Sequence, residues 1–195
     1  MAYYPIFLEL KDRPCLVIGG GAVATQKAKQ LAACGARVRV VSPECGAGLK
    51  RLAAKRKVSW TPRLFKPSDL KGAELVVAAT DCQPVNEQAS MLAKRKGIWI
   101  NVVDQPRLCS FIVPSVVRRG KLELAISTGG ASPALSKWIR KDLERRYGSE
   151  LGRLLQASAK IRGGVRKRVP SFARRKRLHA QAIEAYFKVM RQALS

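Results

Sequence analysis

Cys15-Leu16-Val17-Ile18-Gly19-Gly20-Gly21-Ala22-Val23-Ala24 is the stretch that decides the fold. Its first four residues are a short apolar run that ends abruptly in glycines, the pattern of a buried strand entering a tight turn. From Ala22 the spacing becomes helical. Val23, Ala24, Ala28, Leu31 and Ala32 share one side, Lys27, Lys29 and Gln30 lie elsewhere, and Gly35 suits the position just past the helix end. Arg37-Val38-Arg39-Val40-Val41 reads as a second strand, closing at Ser42-Pro43. Strand, helix and strand within about 30 residues predict a parallel pair joined by a right-handed crossover.

Outward from this unit the alternation continues. Val58-Ser59-Trp60 reads as a weak third strand and Glu74 to Ala79 as a strong fourth. A helix is expected from Val85 to Lys96, stopped by Gly97, and a fifth strand from Ile98 to Val103. This predicts an α/β fold, a Rossmann-type doubly wound parallel sheet over residues 1–110. After Pro106 the pattern changes. Phe111 to Val117 and Lys121 to Ser127 read as two strands about the turn Arg118-Arg119-Gly120, and Ser132-Pro133 opens a helix ending near Tyr147. Two more helices are expected over 149–161 and 171–194, separated by Gly163-Gly164 and Pro170. The last carries an apolar face of Leu178, Ala182, Ala185, Tyr186, Val189 and Met190.

A chain of 195 residues with 47% apolar content can bury a core without a disulfide or metal staple. Lys and Arg number 38 against 13 Asp and Glu, a net charge of +25, and residues 148–195 hold 12 basic and 2 acidic groups. An acidic partner is expected, as easily a polyanionic small molecule as a nucleic acid. The runs Arg166-Lys167-Arg168 and Arg174-Arg175-Lys176-Arg177 enclose only Phe172 as an aromatic, so base stacking is poorly supported and nucleic acid is not the expected partner. Cysteines at 15, 34, 45, 82 and 109 contain no C-x-x-C, which argues against a disulfide framework or zinc site and for a reducing compartment. Met1 to Leu10 lacks a basic leader pattern, and no apolar run approaches the roughly 20 residues that span a bilayer. A cytoplasmic location without membrane association is therefore expected. The one histidine, His179, lies in the basic tail. Ser–His–Asp or Cys–His catalysis and multi-histidine metal sites are excluded from the body, no metal site is expected, and acid–base chemistry falls to Asp, Glu, Lys, Tyr or Cys.

Gly19-x-Gly21-x-x-Ala24 is a G-x-G-x-x-A fingerprint between a strand and a helix. Gly19 would allow the tight turn, Gly21 the approach of a pyrophosphate, and Ala24 close helix–strand packing. The alternative is a purely structural glycine turn. Ser42-Pro43-Glu44 ends the second strand, where a ribose-reading group belongs. Glu44 would accept from ribose hydroxyls and disfavour a 2′-phosphate, unless it is simply an exposed loop residue near Lys50 and Arg51. Thr80 ends the fourth strand at the same rim, and Asp81 could cap the next helix. Asp104, after Asn101-Val102-Val103, is either the acid–base group or a turn residue before Pro106. Ser127 to Pro133 could bind an anion or only cap a helix.

These stretches together resemble the family of precorrin-2 dehydrogenases and the N-terminal half of siroheme synthase. The matching residues are Tyr4-Pro5-Ile6-Phe7, Val17 to Ala24 with Lys27, Ala78-Ala79-Thr80-Asp81 with Asn86, Asn101 to Asp104, Ser110 to Ser115, and Ile126 to Pro133, in order across residues 4–147. The tail matches more weakly, through Leu151-Gly152 and its arginine spacing. The resemblance implies NAD-dependent oxidation of precorrin-2 to sirohydrochlorin, and some members also insert iron. It implies Asp104 as the catalytic residue and cofactor contacts at Ala22, Val23, Pro43 and Glu44, which join Gly19, Gly21 and Ala24 of the fingerprint and Ser42 and Thr80 at the strand ends as the expected cofactor-binding residues. It divides the chain into an NAD-binding Rossmann domain (1–110), a dimerisation segment (111–147) and a basic helical domain (148–195). Phe111, Ile112, Val113, Val116 and Val117 offer apolar surface for a homodimer. Thr128 stands where the fused enzyme has a phosphorylatable serine, and without the fused methyltransferase half precorrin-2 is expected from another protein. The competing functions are an NAD-binding regulatory module and a basic nucleic-acid binder.

Overall fold

The computed structural model describes residues 3–192, without the side chains at 161, 163, 166–168 and 189–192. The first of two compact units ends at Val113. It contains β1 (Pro14–Ile18), α1 (Ala22–Ala33), β2 (Arg37–Val41), α2 (Ala47–Ala54), β3 (Ser59–Thr61), β4 (Leu75–Ala78), α3 (Gln83–Arg95) and β5 (Trp99–Val102). The sheet order is β3-β2-β1-β4-β5 and every pair is parallel, as the alternation predicts. The chain moves outward from β1 to β3 and then returns to β4 on the other side. The switch point between β1 and β4 is where such sheets open a ligand crevice beyond their carboxyl ends.

Both faces of the sheet are covered, so its strands read as continuous apolar runs instead of alternating ones. Cys15, Val17, Val38, Val40, Leu75 and Val77 pack with Ala24, Ala28 and Leu49 in one layer. Leu16, Ile18, Val41, Val76, Ala78, Ile100 and Val102 pack with Leu70, Ala89 and Ala93 in the other. Helix α2 is absent from the sequence reading because Gly46 and Gly48 resemble a loop. Its Leu49 is fully buried, and at Gly48 an added Cβ would stand 3.0 Å from Thr25 Cγ2 of α1. Gly48 thus lets the two helices come close.

One carboxylate is built into this unit. Asp69, in the 3₁₀ turn Pro67–Leu70, is 3% exposed. Arg63 donates to both its oxygens at 2.8 and 2.6 Å, the Lys66 N–H donates at 2.9 Å, and Arg39 donates to its main-chain carbonyl. The Arg63 hydrogen bonds hold the carboxyl below its ordinary range against the opposing effect of burial. A folded-state pKa below the unfolded one stabilises the fold above the unfolded value, and this stabilisation is lost as pH falls through the folded one. Asp69→Asn should therefore cost about 2 kcal/mol at neutral pH, discounted because Arg63 is partly exposed. The gap from wild type should narrow below about pH 4. Urea melts across that range check this, and a gap that does not vary with pH would contradict it.

The second unit begins at Pro114. It holds β6 (Ser115–Arg119), β7 (Leu122–Ile126), α4 (Pro133–Arg146), α5 (Glu150–Arg168) and α6 (Phe172–Gln192). β6 and β7 form an antiparallel hairpin with Gly120, at φ +64, first in its two-residue turn. The hairpin starts at Ser115 and not at Phe111, because Pro114 has no N–H and Phe111 packs on the β1–α1 layer of the first unit. Ser132 caps α4 by accepting the Leu135 N–H at 3.2 Å, as expected. The expected break at Gly163-Gly164 does not occur. A helical glycine costs only about 1 kcal/mol, whereas Pro170 excludes the helical conformation at Val169, which is extended at φ −120 and ψ 100. Of the apolar face expected on α6, Val189 and Met190 lie outside the described side chains, as do residues 193–195 altogether. Among the described residues no helix is long and apolar enough to cross a membrane.

Candidate functional site

The register places the carboxyl ends of four strands level. Ile18 pairs with Val41 and with Ala78, and Ala78 pairs with Val102. The ladder runs one residue further, through Gly19 N–H to the Val41 carbonyl (3.0 Å), Ala79 N–H to Ile18 (2.8 Å) and Val103 N–H to Ala78 (3.0 Å). Gly19, Ser42, Ala79 and Val103 therefore begin four adjacent loops on one rim.

The three glycines have different duties. Gly19 has φ +116, and a Cβ there would overlap the Ala79 carbonyl. At Gly20 a Cβ would overlap the Glu44 carbonyl and lie 2.7 Å from Ser42 Oγ. Gly20 is a site residue that the fingerprint does not single out; the only signal for it is the unbroken run of three glycines. Around Gly21 a Cβ would meet nothing within 4 Å. Gly21 is also the N-cap of α1, which has no side-chain cap and no acidic residue in its first turn. Ala22 and Val23 are exposed beside it, while Ala24 is fully buried under the sheet. Bare main chain at a helix N-terminus fits the pyrophosphate of a dinucleotide.

Glu44 and Pro43 are exposed on the next loop. Ser42 is buried; its hydroxyl donates to the Glu44 carbonyl at 2.6 Å, and its own carbonyl accepts Trp60 Nε1 at 3.0 Å. Ser42 thus shapes the loop that presents Glu44. Thr80 is held similarly: its hydroxyl donates to Asn86 Oδ1 at 2.9 Å, and Asn86 Nδ2 donates to the Thr80 carbonyl at 2.9 Å. Asp81 does not cap α3. The N-cap is Cys82, whose N–H donates to Thr80 Oγ1 at 3.2 Å.

Asp104 is exposed one residue past Val103, at φ +58 in the left-handed region. Val103 packs on the layer that contains Ala24 and Ala28, which brings the turn to α1. Lys27 of α1 is partly buried there. Burial lowers the pKa of its ammonium, and the negative charge of Asp104 acts in the opposite direction. Lys27 is a site neighbour that helical periodicity alone places away from the apolar side and assigns no role.

In the second unit, Thr128 Oγ1 accepts the Ser132 N–H and donates to the Ser132 carbonyl, both at 3.1 Å. The Ser127 hydroxyl accepts the Gly129 N–H at 3.1 Å. The Thr128 hydroxyl is thus engaged in closing the glycine loop before α4.

Residues 6–115 match the family model described as putative NAD(P)-binding, and residues 119–146 match that of the sirohaem biosynthesis protein central region. Siroheme synthase of Methylobacillus flagellatus is 44% identical over 86% of this chain, and that of Thioalkalivibrio sulfidiphilus is 40% identical over 94%. The chain spans only 36% and 38% of those two relatives. The solved structure of SirC, precorrin-2 dehydrogenase, superposes with a TM-score of 0.79 at 31% identity, covering 93% of this chain and 89% of that one. The level rim, the open glycine fingerprint and these matches agree: the chain belongs to the family that comprises precorrin-2 dehydrogenase and the corresponding part of siroheme synthase.

Proposed function

We propose that this chain is an NAD-dependent dehydrogenase that oxidises precorrin-2 to sirohydrochlorin, with Asp104 as the proton acceptor. The observation that carries this reading is the shared rim, where the open main chain at Gly21 and the exposed carboxylate of Asp104 stand beyond level strand ends. When bound, NAD supplies the hydride acceptor. The chain's own part is to seat the pyrophosphate on the N-terminus of α1, to offer Glu44 to the adenosine ribose, and to take up at Asp104 the proton released as hydride leaves the substrate. With no histidine in this unit, a carboxylate is the natural base at neutral pH. A net charge of +25 would raise the encounter rate with a substrate bearing many carboxylates.

Purified protein, NAD and enzymatically made precorrin-2, mixed without oxygen, should yield NADH and the sirohydrochlorin absorbance together. NAD binding without NADH formation would leave a regulatory module instead. The same reading takes residues 1–110 as the cofactor domain, 111–147 as the segment that pairs two copies, and 148–195 as the basic helical domain. Trp138 and Leu135 of α4 are 59% and 49% exposed, apolar area of the kind a partner copy covers. Light scattering should give twice the 21.4 kDa chain mass, and a monomer at micromolar concentration would refute the pairing. The cytoplasm is the fitting compartment, since Cys15, Cys45, Cys82 and Cys109 carry free thiols.

A further inference from the structure

The turn that presents Asp104 is bracketed from within by a single sulfur. The Val102 N–H donates to Cys109 Sγ at 3.1 Å. The carbonyls of Val102 and Gln105 lie 3.2 and 3.3 Å from that sulfur, both in reach of its one proton. Asn101 Nδ2 donates to the same sulfur at 3.5 Å and to the Phe111 carbonyl at 3.1 Å. The sulfur therefore holds both ends of the four-residue stretch whose third member is Asp104. Across that stretch the main chain supplies one long bond, Gln105 N–H to the Val102 carbonyl at 3.3 Å. A non-glycine residue at φ +58 keeps that conformation only where its surroundings impose it.

Cys109 is itself anchored. It follows the 3₁₀ turn Pro106–Leu108, which is tied to α3 by Ser90 Oγ donating to the Leu108 carbonyl at 2.6 Å and Lys94 Nζ donating to the Arg107 carbonyl at 3.2 Å. Burial pushes the thiol pKa up, so it keeps its proton at neutral pH and remains a donor. We infer that Cys109, through its bonds to Val102 and Gln105, is the positioning residue that sets the direction of the Asp104 carboxylate. It touches no reacting atom, and the inference rests on the reading of Asp104 as proton acceptor.

The test is a double-mutant cycle on the full chain with NAD and precorrin-2. Cys109→Ala should lower kcat about tenfold, because small displacements of a catalytic group are costly, and should leave KM for NAD near wild type. Cys109→Ser should recover most of the loss, because a hydroxyl accepts and donates to the same partners. In the Asp104→Asn background Cys109→Ala should add no further loss. Equal fractional losses in both backgrounds would show a merely structural role and overturn the inference, as would unchanged kcat in Cys109→Ala. If Asp104→Asn itself turns over normally, the reading of Asp104 fails, and the positioning role with it. An impaired Asp104→Asn beside a normal Cys109→Ala refutes the positioning role alone. Should Cys109→Ala fail to fold, Cys109→Ser decides: a two- to threefold loss is expected with Asp104 present and none without it, and the opposite pattern overturns the inference.

Discussion

Asp104→Asn should lower precorrin-2 dehydrogenation by about 10²-fold or more while NAD binds as in wild type. The substitution keeps the size of the side chain, and asparagine tolerates the left-handed φ of +58 better than most residues, so the turn should survive. What disappears is the one carboxylate on that loop, with no histidine in the unit to replace it. NAD affinity should not follow, because the positions proposed for the pyrophosphate and the ribose are on the loops after β1 and β2, away from Asp104. Isothermal calorimetry for NAD and anaerobic NADH formation measure the two effects separately. Near-normal turnover would return Asp104 to a turn residue and move the base elsewhere.

Gly21→Asp should produce the converse defect. Its φ of −73 suits any residue, and a Cβ there meets nothing within 4 Å, so the fold has no reason to object. An aspartate at the N-cap of α1 should even stabilise the helix by roughly a few tenths of a kcal/mol, since its carboxylate would accept first-turn N–H groups that now lack a side-chain partner. Those N–H groups are the ones a pyrophosphate would use. The new carboxylate would take their place and repel the ligand, a juxtaposition that costs several kcal/mol. NAD affinity should fall by about 10²-fold or more while the melting temperature stays level or rises. Retained NAD binding in a well-folded Gly21→Asp protein would remove the pyrophosphate from this helix end.

The contrast with Gly20 shows how far a motif can be read. All three glycines are visible in the chain, but which of them the fold itself requires depends on what lies opposite. Gly20 is pressed against the Glu44 carbonyl, 24 residues away in sequence, and only the pairing of β1 with β2 brings that carbonyl there. A substitution at Gly20 therefore strains the fold, whereas one at Gly21 meets no other part of it.

The sequence by itself determined the alternation of strands and helices, the crossover after β1 and the fingerprint, and it offered Asp104 as one of two open readings that only the family resemblance turned toward catalysis. These are local matters: apolar runs bounded by glycine, helical spacing and residue type act within a few residues of one another. Tertiary structure alone decided the level rim, the left-handed conformation of Asp104, the proximity of Lys27, and the sulfur bracket from Cys109. It also decided that α2 forms across Gly48 because Leu49 is buried, and that α5 continues through Gly163-Gly164 until Pro170 stops it. Each of these depends on strand register or on packing between segments distant in the chain. Their free energies outweigh the weak local preferences that a sequence displays.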